Sequence, residues 1–114
     1  MKLDVSQIVG KTAVSREGGL KLKDAIEGAL VANKRICLDF AQIQVYASPF
    51  FNTSVAPYLG KMTFQELKER VSFENLSPVG KSLLNQVIHN AIDFYSKGSE
   101  EQDELEDKVS KGLE

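Results

Sequence analysis

Residues 36–52, Ile-Cys-Leu-Asp-Phe-Ala-Gln-Ile-Gln-Val-Tyr-Ala-Ser-Pro-Phe-Phe-Asn, constrain the fold of this chain more than any other stretch. The run from Ile36 to Phe40 is too short for a helix and β-prone enough for a central strand. A second short apolar step follows. Ser48-Pro49 then has the chemistry of a helix start, with serine as the capping residue and proline at the first helical position. A buried strand that ends at a rim and hands over to a helix is the building step of an α/β protein. Such proteins place their working groups at the carboxyl ends of the strands, so function is sought there first.

The remaining core reads as further pieces of the same layout. Residues 2–9 alternate in part and stop at Gly10, as an edge strand does, and Thr12-Ala-Val14 reads as a second short strand. Ser15 has N-cap chemistry ahead of a helix whose Leu22, Ala25, Ile26, Ala29 and Leu30 share one face, ended by Asn33-Lys34. The helix opened at Pro49 is expected to reach about Leu59, with a kink or early break at Pro57, because an internal proline removes a helical hydrogen bond. Thr63 and Glu66 have capping-box spacing for a short helix, and Val71-Ser-Phe-Glu-Asn75 alternates like a strand. Ser77-Pro78 opens a last helix with Leu84, Val87, Ile88, Ala91 and Tyr95 on one stripe.

The expected order is therefore β(β)αβααβα, an α/β fold with a small mixed, mostly parallel sheet. The strand-to-helix turns at residues 15–19, 47–52 and 76–81 then lie on one rim, where helix N-termini present free N–H groups and partial positive charge.

Composition narrows what such a rim is for. The formal net charge of −2 over 114 residues gives no field toward nucleic acid or an anionic membrane. Cys37 is the single cysteine, which excludes an internal disulfide and a multi-cysteine zinc site. No stretch approaches the ~20 apolar residues of a membrane span, and the first residues lack the apolar core of a signal peptide, so a cytoplasmic protein is expected. Residues 1–95 carry a balance of +2 and residues 96–114 one of −4. The domain is expected to be 1–95, followed by an acidic, frayed or disordered tail. His89, the single histidine, sits off the apolar stripe of its helix, and neither a metal site nor a Ser/His/Asp set can be built around it. Gly18-Gly19 lacks the spacing of a P-loop or dinucleotide fingerprint.

With this order in hand, residues 2–95 resemble a STAS domain, the fold of anti-sigma factor antagonists, and more closely the bacterial family called the STAS-like domain of unknown function. The likeness is carried by Ser15-Arg16 with Gly19, by Leu38-Asp39-Phe40 with Ile43, by Ser48-Pro-Phe-Phe-Asn52 and by Phe73-Glu-Asn-Leu-Ser-Pro78. In anti-sigma factor antagonists the turn after the central strand carries Asp-Ser-Ser-Gly, with the second serine phosphorylated by a partner kinase. Laid on this chain, that signature falls on Ala47-Ser48-Pro49-Phe50, so proline stands where the phosphoacceptor would be. The switch does not carry over directly, and Ser48, or else Thr53 or Ser54, is the alternative acceptor.

The resemblance implies a non-enzymatic regulatory module, without cofactor, that binds another protein such as an ATPase or histidine-kinase-like regulator. Arg16, Gly19, Ser48, Phe50 and Asn52 are the candidate binding residues. Phe50 and Phe51 are adjacent in a helix and are not expected to face one core together, which leaves one as an exposed anchor. The alternative is a nucleotide- or anion-binding module that uses the same helix N-termini. Ser48 has a purely structural use as a cap, Arg16 as a partner of Glu17, Asp39 or a helix carbonyl, and Asp39 as an acceptor for nearby N–H groups. Cys37 is expected to be a small buried hydrophobe. The edge strand permits pairing into a homodimer.

Overall fold

The computed structural model describes residues 1–96; the expected acidic tail, apart from Ser96, lies outside the described residues. In chain order the elements are β1 (Lys2–Asp4), α1 (Val5–Val9), β2 (Thr12–Ala13), α2 (Arg16–Ala32), β3 (Ile36–Asp39), β4 (Val45–Tyr46) and α3 (Ser48–Ser54). A 3₁₀ turn (Ala56–Gly60), α4 (Phe64–Arg70), β5 (Val71–Glu74) and α5 (Pro78–Tyr95) complete the order. Every strand pairing is parallel. One sheet has the order β1-β3-β5, and β2 pairs with β4 in a second, two-stranded sheet.

The central strand is β3, as its composition predicts. Ile36 and Leu38 are buried toward the helices together with Val71, and Leu3 and Phe73 pack against the same core. The alternate residues Cys37 and Asp39 turn to the opposite face, which is polar. Capping residues do much of the punctuation. Ser15 accepts from the Gly18 N–H at 2.9 Å, and Ser77 from the Gly80 N–H at 3.1 Å. Thr63 and Glu66 close a capping box across 3.0 and 3.1 Å. As expected, the helix that begins near Pro49 breaks early: α3 stops at Ser54 and a 3₁₀ turn carries Pro57. Proline has no N–H to continue the α-helical ladder.

Two expectations are corrected. Residues 2–9 are not one strand, because β1 ends at Asp4 and residues 5–9 coil into α1. Asp4 Oδ1 accepts from the Ser6 N–H at 3.0 Å, and Val5, Ile8 and Val9 have the i, i+3, i+4 spacing that buries one helix face. Gly10, at φ 85, then turns the chain out of the helix. β4 was foreseen only as an apolar step, since its pairing with β2 is a long-range event. The predicted edge position of β1 holds. No helix among the described residues is long and apolar enough to cross a membrane.

Candidate functional site

The strand-to-helix junctions of β2, β4 and β5 meet at one end of the molecule. α2 and α3 touch through glycine: a Cβ built on Gly18 would lie 3.6 Å from the Phe50 ring, and one on Gly19 only 2.5 Å from the Phe50 carbonyl oxygen, overlapping Thr53. The start of α5 is held as closely. A Cβ on Gly80 would stand 2.8 Å from the ring of Tyr46, the residue that leads into α3. The first turn of α3 is therefore flanked by the N-termini of α2 and α5.

Beneath that rim lies an aromatic floor. Phe40 and Phe51 have ring centroids 6.1 Å apart, Tyr46 and Phe51 stack at 6.2 Å, and Phe50 meets Phe51 edge-on at 5.4 Å. Phe50 and Phe51 are both fully buried, so neither is an exposed anchor. The expectation failed because it assumed one buried side to α3. In the fold, Phe50 is covered by α2 while Phe51 lies on Phe40 and Tyr46, and both directions lead into core. Phe50 and Gly19 support the surface and do not form it. Tyr46 was missed by sequence reasoning; its place directly before Ala47, alternating with exposed Val45, was the available signal.

Ser48 is also corrected. The cap of α3 is Ala47, in extended geometry at φ −148, and no side chain caps this helix. Ser48 is already its first helical residue, and its half-buried hydroxyl has no partner among the described residues. The other two hydroxyls are committed. Thr53 Oγ1 lies 3.0 Å from the Pro49 carbonyl, 3.1 Å from that of Phe50 and 3.3 Å from that of Arg16, while Ser54 is fully buried and donates to Phe50 at 2.9 Å. Of the three hydroxyls, that of Ser48 is the one without a hydrogen-bond partner among the described residues.

Arg16 begins α2, exposed, and its guanidinium has no partner among the described residues. Its structural alternatives are occupied elsewhere. Glu17 pairs with Lys21 at 3.9 Å, and Asp39 accepts from Asn75 Nδ2 and the Ala41 N–H, each at 2.9 Å, with Lys2 at 3.6 Å. Asn52 follows Ser48 by one turn, half-buried and likewise without a partner among the described residues. Arg16, Ser48 and Asn52 thus present one positive group, one hydroxyl and one amide over a tightly packed base.

Asp39 serves the frame. The Asn75 amide first, and the Ala41 N–H second, hold its carboxyl below the usual 3.8, and this bonding ties the ends of β3 and β5 together. Asn75 takes the left-handed conformation at φ 61, which asparagine tolerates. Cys37 is half-buried, not fully buried, and its thiol donates to Glu74 at 2.5 Å. Burial and that carboxylate push the thiol up from its ordinary value. His89 is exposed on α5, and no group of His, Cys, Asp and Glu among the described residues is placed to hold a metal ion.

A family model, described as the STAS-like domain of unknown function, matches residues 18–81. That span runs from the first turn of α2 to the first turn of α5, so it holds the whole aromatic floor, Ser48 and Asn52; Arg16 stands just before it. Comparison with curated proteins, and separately with solved structures, finds no match. On the family match and the fold together, the chain belongs to the STAS-like domain family of unknown function.

Proposed function

We propose that this chain is a non-enzymatic regulatory module that docks another protein on the rim around α3, in a bacterial signalling or transcription-control setting. The observation that carries this reading is the trio Arg16, Ser48 and Asn52, whose polar side chains have no partner among the described residues and which lie at the close contact of α2 with α3. Held backbone with unspent side-chain donors suits protein recognition, because little ordering entropy remains to be lost on binding. An unpaired arginine suits a carboxylate or phosphate on the partner, gripped by two parallel N–H bonds. Ser48 is the residue a partner kinase would reach.

The anion-binding reading draws less support. Each of the two long helices at the rim spends one first-turn N–H on its cap, that of Gly18 on Ser15 and that of Gly80 on Ser77, and proline removes a further donor at the first position of α5 and the second of α3. The test is to co-purify the full chain with its partner from the source cell and compare it with the Arg16→Ala/Asn52→Ala double variant. Both side chains are outside the core, so the variant should melt with the wild type yet bind at least about tenfold more weakly. Unchanged binding by a folded variant would remove the rim from the account.

A further inference from the structure

The outer edge of β5 carries unspent main-chain groups beside an apolar groove. The Cys37 N–H donates to the Met1 carbonyl at 2.8 Å and the Phe40 N–H to the Glu74 carbonyl at 3.0 Å. Odd-numbered residues of β3 therefore face β1 and even-numbered ones face β5. Along a strand the main-chain groups alternate between its two edges. Ser72 and Glu74 accordingly face β3, while Val71 and Phe73 face outward. The Val71 N–H is used, since it caps α4 by donating to Leu67. The Val71 carbonyl and both Phe73 groups have no backbone partner among the described residues.

Along this edge runs a groove of about 300 Å³ with an apolar floor of Phe64, Phe73, Leu84 and Ile88, and with Arg35 and Lys68 on its rim. Arg35 and Lys68 are exposed without an ion pair among the described residues, and Lys68 Nζ rests 5.3 Å from the centre of the Phe64 ring. Arg70 is not part of this charge, because it is tied to the Lys34 carbonyl at 2.7 Å. A strand edge with unspent main-chain groups beside an apolar groove is the geometry by which a sheet takes up an extended peptide. Two unpaired cations over an apolar floor select the peptide: apolar side chains on one face, acidic ones toward the rim.

We infer that the β5 edge is a second docking surface, independent of the α3 rim, which takes an extended segment of a partner protein rich in alternating apolar and acidic residues as an added strand. The test is selection from a displayed random short-peptide library on the full chain, repeated on Arg35→Glu/Lys68→Glu. Both side chains are on the groove rim and exposed, so the variant should keep the wild-type melt. The expected result is enrichment of apolar-acidic peptides that protect the Phe73 amide from hydrogen exchange and bind the variant at least about tenfold more weakly. No enrichment above an unrelated protein, equal binding by the variant, or protection at α3 in place of Phe73 would overturn the inference. So would sedimentation showing a dimer that the variant dissolves, since the occupant would then be a second copy of this chain.

Discussion

Gly19→Ala isolates the contact that holds the rim together. In an ordinary helix interior this change gains about 0.5–1 kcal/mol, because alanine restricts the unfolded chain and favours the helix. At Gly19 the new Cβ would stand 2.5 Å from the Phe50 carbonyl oxygen, a backbone atom that cannot rotate away. Ordinary van der Waals distance requires α3 to retreat by roughly 1 Å, and overpacking of this kind costs about 1–3 kcal/mol. The retreat also loosens fully buried Phe50, Phe51 and Ser54. The net expectation is a loss of about 1–2 kcal/mol. Gly28 supplies the control on the same helix, since a Cβ there meets nothing within 4 Å and Gly28→Ala should gain about 0.5–1 kcal/mol. Adding Thr53→Ala to Gly19→Ala removes one obstruction and leaves the carbonyl, so recovery should be partial. Urea unfolding followed by circular dichroism reads these differences as midpoint shifts at constant slope. If Gly19→Ala were as stabilising as Gly28→Ala, the packing of α2 on α3 described above would be wrong.

Three further outcomes follow from the side chains around the sheet and rim. Ser77→Ala should lower stability by about 1 kcal/mol because it removes a working cap, whereas Ser48→Ala, which caps nothing, should stay within about 0.5 kcal/mol of wild type in the same unfolding assay. Cys37 should alkylate more slowly than an unhindered thiol at mildly alkaline pH, and Glu74→Gln should speed it, as thiol-labelling kinetics would show; an unchanged rate would separate the carboxylate from the thiol. Tyr58 has a buried hydroxyl with no partner among the described residues, so Tyr58→Phe should be neutral or stabilising by up to about 1 kcal/mol. Burial first, and the Glu27 and Asp24 carboxylates next, push its hydroxyl from 10 to about 12. Because the folded value is the higher one, the contribution is complete below pH 10 and is lost as pH rises toward about 12. Thermal melts across that window should therefore fall more gently for Tyr58→Phe than for wild type.

Local chemistry made most of the helix starts legible. Ser15, Thr63 with Glu66, and Ser77 each cap where their spacing predicts, because a cap is settled within four residues. The break before Pro57 follows from the same local rule. What stayed hidden depends on partners distant in sequence. Val45 and Tyr46 form a strand only because Thr12 and Ala13 lie beside them, and nothing within 36–52 states that pairing. Ser48 and Pro49 sit one position deeper in the helix than their types suggest, since Ala47, directly after β4, donates its N–H to the Ala13 carbonyl at 2.9 Å and is held extended. Phe50 and Phe51 defeated a one-sided view of their helix: α2 covers one ring and Phe40 with Tyr46 the other. The candidate site was legible as a place. Which of its residues are surface and which are support required the packing of α2 on α3.

The most direct test of docking at the α3 rim is an amide chemical-shift map of the isotopically labelled full chain, titrated with the partner that co-purifies with it. The account predicts the largest changes at Arg16, Ser48 and Asn52, with the outer surface of α2 around Val31, which is 89% exposed, left unmoved. A map centred on Val31 or on the β5 edge, with Arg16, Ser48 and Asn52 silent, would contradict it.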